Sequence, residues 1–198
     1  MSNRKIRNSA SHSHCVAAGA QRGQLTFENQ AESTSFVAVG DSNTVRTSST
    51  VQVRVKRVDD VVPRNLDVFL FKTDTQGFEL DVLKGAENLL DSRHVFLLVV
   101  EFSYGLLTRA GVDPNDLLTY IYDLGYVCSH MAYHTLLASD TGVKKYAVVN
   151  RGEATSSDDD EFSLSFHDFI DSLRVVNGHQ TAGVSGWTDL ICWQPWVH

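Results

Sequence analysis

The sequence predicts an α/β domain built around parallel strands, and three observations carry that expectation. First, "DVFLF" at 67–71 and "VFLLVV" at Val95–Val100 are continuous apolar runs, the pattern of strands covered on both faces. Second, between them Phe78, Val82, Ala86, Leu89 and Leu90 recur at helical spacing, with Glu79 and Asp81 in the first turn, where the helix dipole favours acids. Third, strand, helix and strand fit within about 30 residues, the usual size of a right-handed parallel crossover.

The other elements follow in chain order. "CVAAGA" from Cys15, a turn at Gly23, "QLTF", a polar loop and then "SFVAV" read as short strands with turns. Val51, Val53 and Val55 alternate with Gln52, Arg54 and Lys56, the period of a strand with one wet face. This region is expected to be antiparallel or edge-like. Downstream, Asp113 as cap and Pro114 at the first helical position start a helix that Gly125 stops. "YVCSHM" and Tyr146–Val149 follow as strands. Residues 151–161, "RGEATSSDDDE", read as an acidic loop, "FSLSFHDFIDSLR" as an amphipathic helix and "WTDLICW" as the closing strand. Residues 1–14 are expected to be a ragged or disordered terminus, and 15–198 one domain.

Composition excludes several classes of function. With 198 residues and 42% hydrophobic content, the chain suits one continuous core rather than two. A net charge of -7 with no basic stripe argues against nucleic acid. The longest apolar run falls far short of the roughly 20 residues of a membrane span, so no membrane partner is expected. No apolar signal core follows "MSNRKIRNSA". Cys15, Cys128 and Cys192 show no metal or redox spacing, and their odd count argues against a closed disulfide framework, which favours a reducing, cytoplasmic compartment. "HSHC" at His12–Cys15 lacks a second ligand cluster, and the acidic run Asp158–Glu161 lacks the pattern of a calcium loop, so no metal is expected. Trp187, Trp193 and Trp196 read as core and rim packing, and His130 and His134 as surface histidines.

In an open parallel sheet, ligands bind outside the carboxyl ends of the strands, where helix N-termini and loop backbones converge. That rule selects Lys72, Asp74, Thr75, Gln76 and Gly77 after one strand, and Glu101, Ser103 and Tyr104 after the other. The competing reading has Asp74 cap the following helix and Glu101 merely mark solvent.

The same residues carry a resemblance. "FKTDTQGFELDVLKGAENLL", followed by "VVEF", resembles the FkbM family of S-adenosylmethionine-dependent methyltransferases, whose hallmark reads like Lys-Ile-Asp-Val-Glu-Gly-x-Glu, then a Val-Leu-Lys-Gly-Ala helix and a strand ending in Glu. "VAAGAQRGQLTF" and "VQVRVKRVDDVV" look like the family's upstream segments, and "WTDLICW" like its closing strand. The resemblance runs from Cys15 to Met131 and then over that last strand. It implies a Rossmann-like methyltransferase fold, S-adenosylmethionine as cofactor, and methyl transfer to a hydroxyl oxygen of a sugar, polyketide or other small-molecule acceptor. Carried over residue by residue, it implies Asp74, Glu101 and Lys72 as catalytic, with Asp74 orienting the acceptor or serving as base. Asp74, Thr75 and Ala18 are implied as cofactor contacts, and Gln76, Glu79 and Tyr104 as acceptor contacts. Gln76 stands where the motif usually has Glu, which argues against a charge-dependent task there.

One family feature is missing. The chain contains no Asp-x-Gly-x-x-x-Gly, and "AGAQRG" at 18–23 precedes a hairpin rather than a helix. The fold is therefore expected to be incomplete at its N-terminus, lacking its first strands and glycine-rich loop. That would leave "VFLF" as an unpaired edge open to another chain. A rival reading follows: a non-catalytic, truncated methyltransferase-like fragment that serves as a protein interaction module through that edge.

Overall fold

The fold was obtained as a computed structural model, which describes residues 11–28, 37–38, 50–63, 65–92, 94–130, 146–152, 161–176, 179–180 and 186–195. Its strands are β1 (Ala17–Ala18), β2 (Gly23–Glu28), β3 (Val37–Ala38), β4 (Thr50–Lys56), β5 (Val68–Thr73), β6 (Val95–Ser103), β7 (Val127–His130), β8 (Tyr146–Asn150), β9 (Glu161–Ser165), β10 (Val175–Val176), β11 (His179–Gln180) and β12 (Trp187–Trp193). The helices are α1 (Glu79–Gly85), α2 (Glu87–Asp91), α3 (Tyr104–Arg109), α4 (Pro114–Asp123) and α5 (Phe166–Leu173), and Val58–Asp60 forms a 3-10 turn.

The expected crossover is present. β5 and β6 run parallel, with Leu70 beside Leu97 and Thr73 beside Val100, and α1 and α2 connect them. They begin a six-stranded sheet of order β5-β6-β12-β7-β8-β9, in which the closing strand β12 lies antiparallel between β6 and β7. One face of this mixed sheet carries the core. β12 points Thr188, Leu190 and Cys192 inward, and its register sets Leu190 beside Val100 and Cys192 beside Leu98, all buried. Leu83, Leu89, Leu90, Leu117, Leu118, Ile121 and Phe169 cover them from the helices. Each such side chain contributes roughly 1.5–3 kcal/mol by leaving water. As expected, the Asp113 carboxylate accepts the Asn115 N–H at 2.9 Å to start α4, and Gly125 at φ 82 ends it.

A second sheet has the order β1-β4-β2-β3. Its β2 pairs antiparallel with β3 and β4, as expected, but β1 lies parallel to β4. Most of the "SFVAV" segment falls outside the described residues.

The single helix expected from Phe78 to Leu90 is broken at Ala86, where φ is -110°. Two contacts cause the break. A Cβ on Gly85 would lie 2.2 Å from the Gly19 carbonyl oxygen, so the end of α1 abuts the backbone after β1. Asp59 then starts a new helix: its carboxylate accepts the N–H groups of Asn88 at 3.2 Å and Leu89 at 3.1 Å and the Asn88 side-chain amide at 2.7 Å. It also pairs with Arg57 at 2.9 Å and is nearly buried. Replacing Asp59 by Ala is expected to cost about 2–4 kcal/mol, because a cap and a largely buried ion pair go together. Urea unfolding monitored by tryptophan fluorescence measures it.

Other expectations need correction. The helix predicted from Phe162 begins only at Phe166, because Glu161–Ser165 pairs parallel with β8 and Ser165 then caps α5 by accepting the Asp168 N–H at 3.0 Å. β5 lies at the sheet edge, as expected, but it is not covered on both faces: Phe69 is 78% and Leu70 49% exposed. α3 and the β10–β11 pair were not anticipated. The cysteine reading is overturned as well. Cys128 and Cys192, 64 residues apart in sequence, are register neighbours on β7 and β12 and form a disulfide, while Cys15 is free and exposed. The inference of a reducing compartment loses its basis. No helix among the described residues is long and apolar enough to cross a membrane. His130 is buried rather than on the surface, its Nδ1 3.1 Å from the Thr188 hydroxyl and its ring edge-on to Phe169. Trp187 is exposed and Trp193 half-buried. His134, Trp196 and Asp158–Asp160 lie outside the described residues.

Candidate active site

The site forms in the turn between β5 and α1. Gln76 at φ 57 and Gly77 at φ 106 take the left-handed conformation there. Glycine is required at 77, because a Cβ would also meet the Leu106 carbonyl oxygen at 2.6 Å. The turn is clamped from inside by Glu79, which is 1% exposed. Its carboxylate accepts the Thr75 N–H at 2.7 Å, the Thr75 hydroxyl at 3.2 Å and the Gly77 N–H at 2.9 Å. Asp74 does not cap α1; the residue preceding that helix, Phe78, has no side-chain cap. With Glu79 holding the turn, Asp74 faces outward, its side chain 46% exposed.

A second carboxylate meets it there. The Gln76 amide donates to Asp74 Oδ1 at 3.1 Å and to Glu101 Oε2 at 2.9 Å, so one side chain bridges the ends of two parallel strands. Lys72 Nζ lies 3.5 Å from Asp74 Oδ2. Burial, then the neighbouring Asp74 carboxylate, push Glu101 up to about 7. Burial also works against ionisation of Asp74, yet the hydrogen bonds from Gln76 and Glu101, together with Lys72, hold it below the ordinary carboxylate range. At neutral pH Asp74 is therefore ionised while Glu101 is about half protonated, and the pair holds a full proton only under mildly acid conditions.

The strand register adds a residue that the sequence reading missed. Asp189 on β12 lies directly opposite Glu101, so it shares that face of the sheet. The alternation in "WTDLICW" separates Asp189 from the buried set, but only the register identifies its neighbour. Tyr104 opens α3, where its N–H donates to the Gly186 carbonyl at 3.3 Å. It lines a separate cavity of about 480 Å³ with Thr108, Val112, Asn115 and Ile170. Ala18 is exposed on the other sheet, next to the Gly19–Gly85 contact, and among the described residues no hydrogen bond joins it to the carboxylate pair. Among the described residues, no group of three or more His, Cys, Asp or Glu side chains is arranged to hold a metal ion.

An exposed ionised carboxylate beside one that loses its proton only near neutral pH, at the carboxyl end of a parallel crossover, is equipped to attract a cation and to accept a proton. The domain comparison agrees with that class of chemistry: the family described as "Methyltransferase FkbM domain" matches residues 2–128. The chain belongs to the FkbM methyltransferase family, whose general chemistry is methyl transfer. No curated protein and no solved structure matches it.

Proposed function

We propose that this protein transfers a methyl group from S-adenosylmethionine to a hydroxyl oxygen of a sugar or other small metabolite, with Asp74 and Glu101 at the reacting centre. The observation that supports this reading best is the Gln76 bridge between Asp74 and Glu101 at the ends of two parallel strands, within an FkbM domain. The same proposal takes the β5-β6-β12-β7 order as part of a Rossmann-like methyltransferase sheet.

The residues fit the charged end of such a cofactor, because an ionised, half-exposed Asp74 complements a sulfonium. When bound, the cofactor supplies an electrophilic methyl group. Asp74, with Thr75 and Ala18, is proposed to hold it. For the acceptor, Asp74 takes a hydrogen bond from the hydroxyl, aligns the oxygen and accepts its proton as the new bond forms. Lys72 steadies Asp74, and Gln76 is the proposed acceptor contact, whereas Tyr104 lines the separate cavity. Glu79 has both oxygens occupied inside the turn, which suits it to positioning rather than to contact with substrate.

Glu101 sets the pH dependence. While it is protonated it donates to Asp74 and weakens it as a base; once ionised, its charge strengthens Asp74. The rate is expected to rise as pH passes about 7 and then level off, and Glu101→Gln is expected to abolish that rise. Stability moves the opposite way. A carboxyl raised in the folded state binds its proton more tightly there than in the unfolded chain, so this group's contribution is lost as pH rises from the ordinary 4.5 to about 7. Transfer of a labelled methyl group to a panel of hydroxyl acceptors between pH 5.5 and 9 tests the first point. Calorimetric titration with S-adenosylmethionine tests cofactor binding.

A second reading, a non-catalytic interaction module, is favoured by one observation: Phe69 is 78% exposed on the edge strand β5. It predicts no heat with S-adenosylmethionine and capture of another chain that Phe69→Lys abolishes.

A further inference from the structure

We propose that Cys128 and Cys192 form a redox latch that couples the thiol–disulfide balance of the surroundings to the rigidity of the strand beside Glu101. The inference does not depend on the methyl-transfer reading. Cys192 is the penultimate residue of β12 and Cys128 the second of β7, so the bond crosses the ladder at one end of the β7–β12 pair. Both are fully buried, whereas the third cysteine, Cys15, is exposed and unpaired. The bond closes a separation of 64 residues, long enough for a large restriction of the unfolded chain. β12 is also the strand that fills the sheet between β6 and β7, and three residues before Cys192 it places Asp189 opposite Glu101. A bond at that point therefore bears on the framework of the carboxylate pair.

The exchange partner is a low-molecular-weight disulfide such as oxidised glutathione. One protein thiolate attacks it, giving a mixed disulfide and one released thiolate. The second protein thiolate then attacks the protein sulfur of that mixed disulfide and expels the other small thiolate. In balance, two protein thiols are oxidised to one disulfide, one small disulfide is reduced to two thiols, and the protons pass to the released sulfurs. Because both sulfurs are buried, exchange requires opening of the strand ends. Cys192, one residue from the end of β12, is the first exposed when that end frays.

The test equilibrates the full chain in glutathione buffers of graded ratio, quenches with acid, alkylates in guanidinium and counts adducts by mass. The expected count changes from three under reducing conditions to one, at Cys15, under oxidising conditions. Full reduction is expected to lower Tm by roughly 10 °C, and to speed exchange of the Asp189 and Leu190 amides at least tenfold. A Cys128→Ala/Cys192→Ala chain is expected to show no dependence on glutathione. If that chain fails to fold, the adduct count and amide exchange on the unaltered chain still decide. Three adducts at every ratio would overturn the proposal, as would a bond whose reduction leaves Tm and the β12 amides unchanged.

Discussion

Replacing Glu101 by Gln is expected to lower methyl transfer by about 10²- to 10³-fold at pH 8 while leaving the fold intact, and Asp74→Asn to lower it at least as far. The two losses have different origins. Asp74→Asn removes the group proposed to align and deprotonate the acceptor hydroxyl, so the rate is low at every pH. Glu101→Gln keeps a hydrogen-bond donor beside Asp74 at all pH values and locks the site in the state that the unaltered enzyme reaches only under acid conditions. The stability readout separates this from simple damage. Because burial and Asp74 raise Glu101 to about 7, its ionisation costs folding free energy, and Glu101→Gln is expected to equal or exceed the unaltered chain in stability at pH 8. Initial rates across pH, with thermal unfolding of the same samples, provide both measurements.

Replacing Glu79 by Ala is expected to cost about 3–5 kcal/mol, the largest stability effect of any polar substitution considered for this chain. A fully buried carboxylate is lost, and the N–H groups of Thr75 and Gly77 lose their acceptor in a place where water replaces it poorly. The damage extends to function, because the same bonds hold the left-handed Gln76–Gly77 turn that carries the bridge to Glu101. Glu79→Gln retains one acceptor oxygen and presents an NH2 group to the other donors, so an intermediate loss is expected. Urea unfolding gives the free energies. Calorimetry with S-adenosylmethionine, on whichever variant remains folded, reports whether the turn must be intact for binding.

The crossover was legible because its signals are local: the apolar runs, the helical spacing of Val82, Ala86 and Leu89, and the acids in the first helical turn all lie within one short segment. The two carboxylates were found from local signals too: Asp74 directly follows β5, and Glu101 follows the apolar run Val95–Val100, although β6 continues through it to Ser103. What escaped depended on partners far along the chain. The break at Ala86 is imposed by Gly19 and Asp59, neither of which lies within the helix. Cys128 and Cys192 become neighbours only through the β7–β12 register, and Asp189 reaches Glu101 only through the β12–β6 register. Spacing arguments treat distance in sequence as distance in space, and antiparallel insertion of the last strand defeats them. The edge position of β5 was expected, but the apolar pattern of "DVFLF" alone did not show Phe69 exposed, because such a run looks alike at the centre and at the edge of a sheet.

The account rests on Glu101 keeping its proton up to near-neutral pH beside an ionised Asp74, and a carboxyl titration observes it directly. With 13C-labelled glutamate, the Glu101 carboxyl resonance, assigned through Glu101→Gln, is followed from pH 4 to 9 in the unaltered chain and in Asp74→Asn. The expected midpoint in the unaltered chain is about 7, and it is expected to fall when the charge on Asp74 is removed. A midpoint near the ordinary 4.5, or one indifferent to Asp74→Asn, would contradict the shared-proton site.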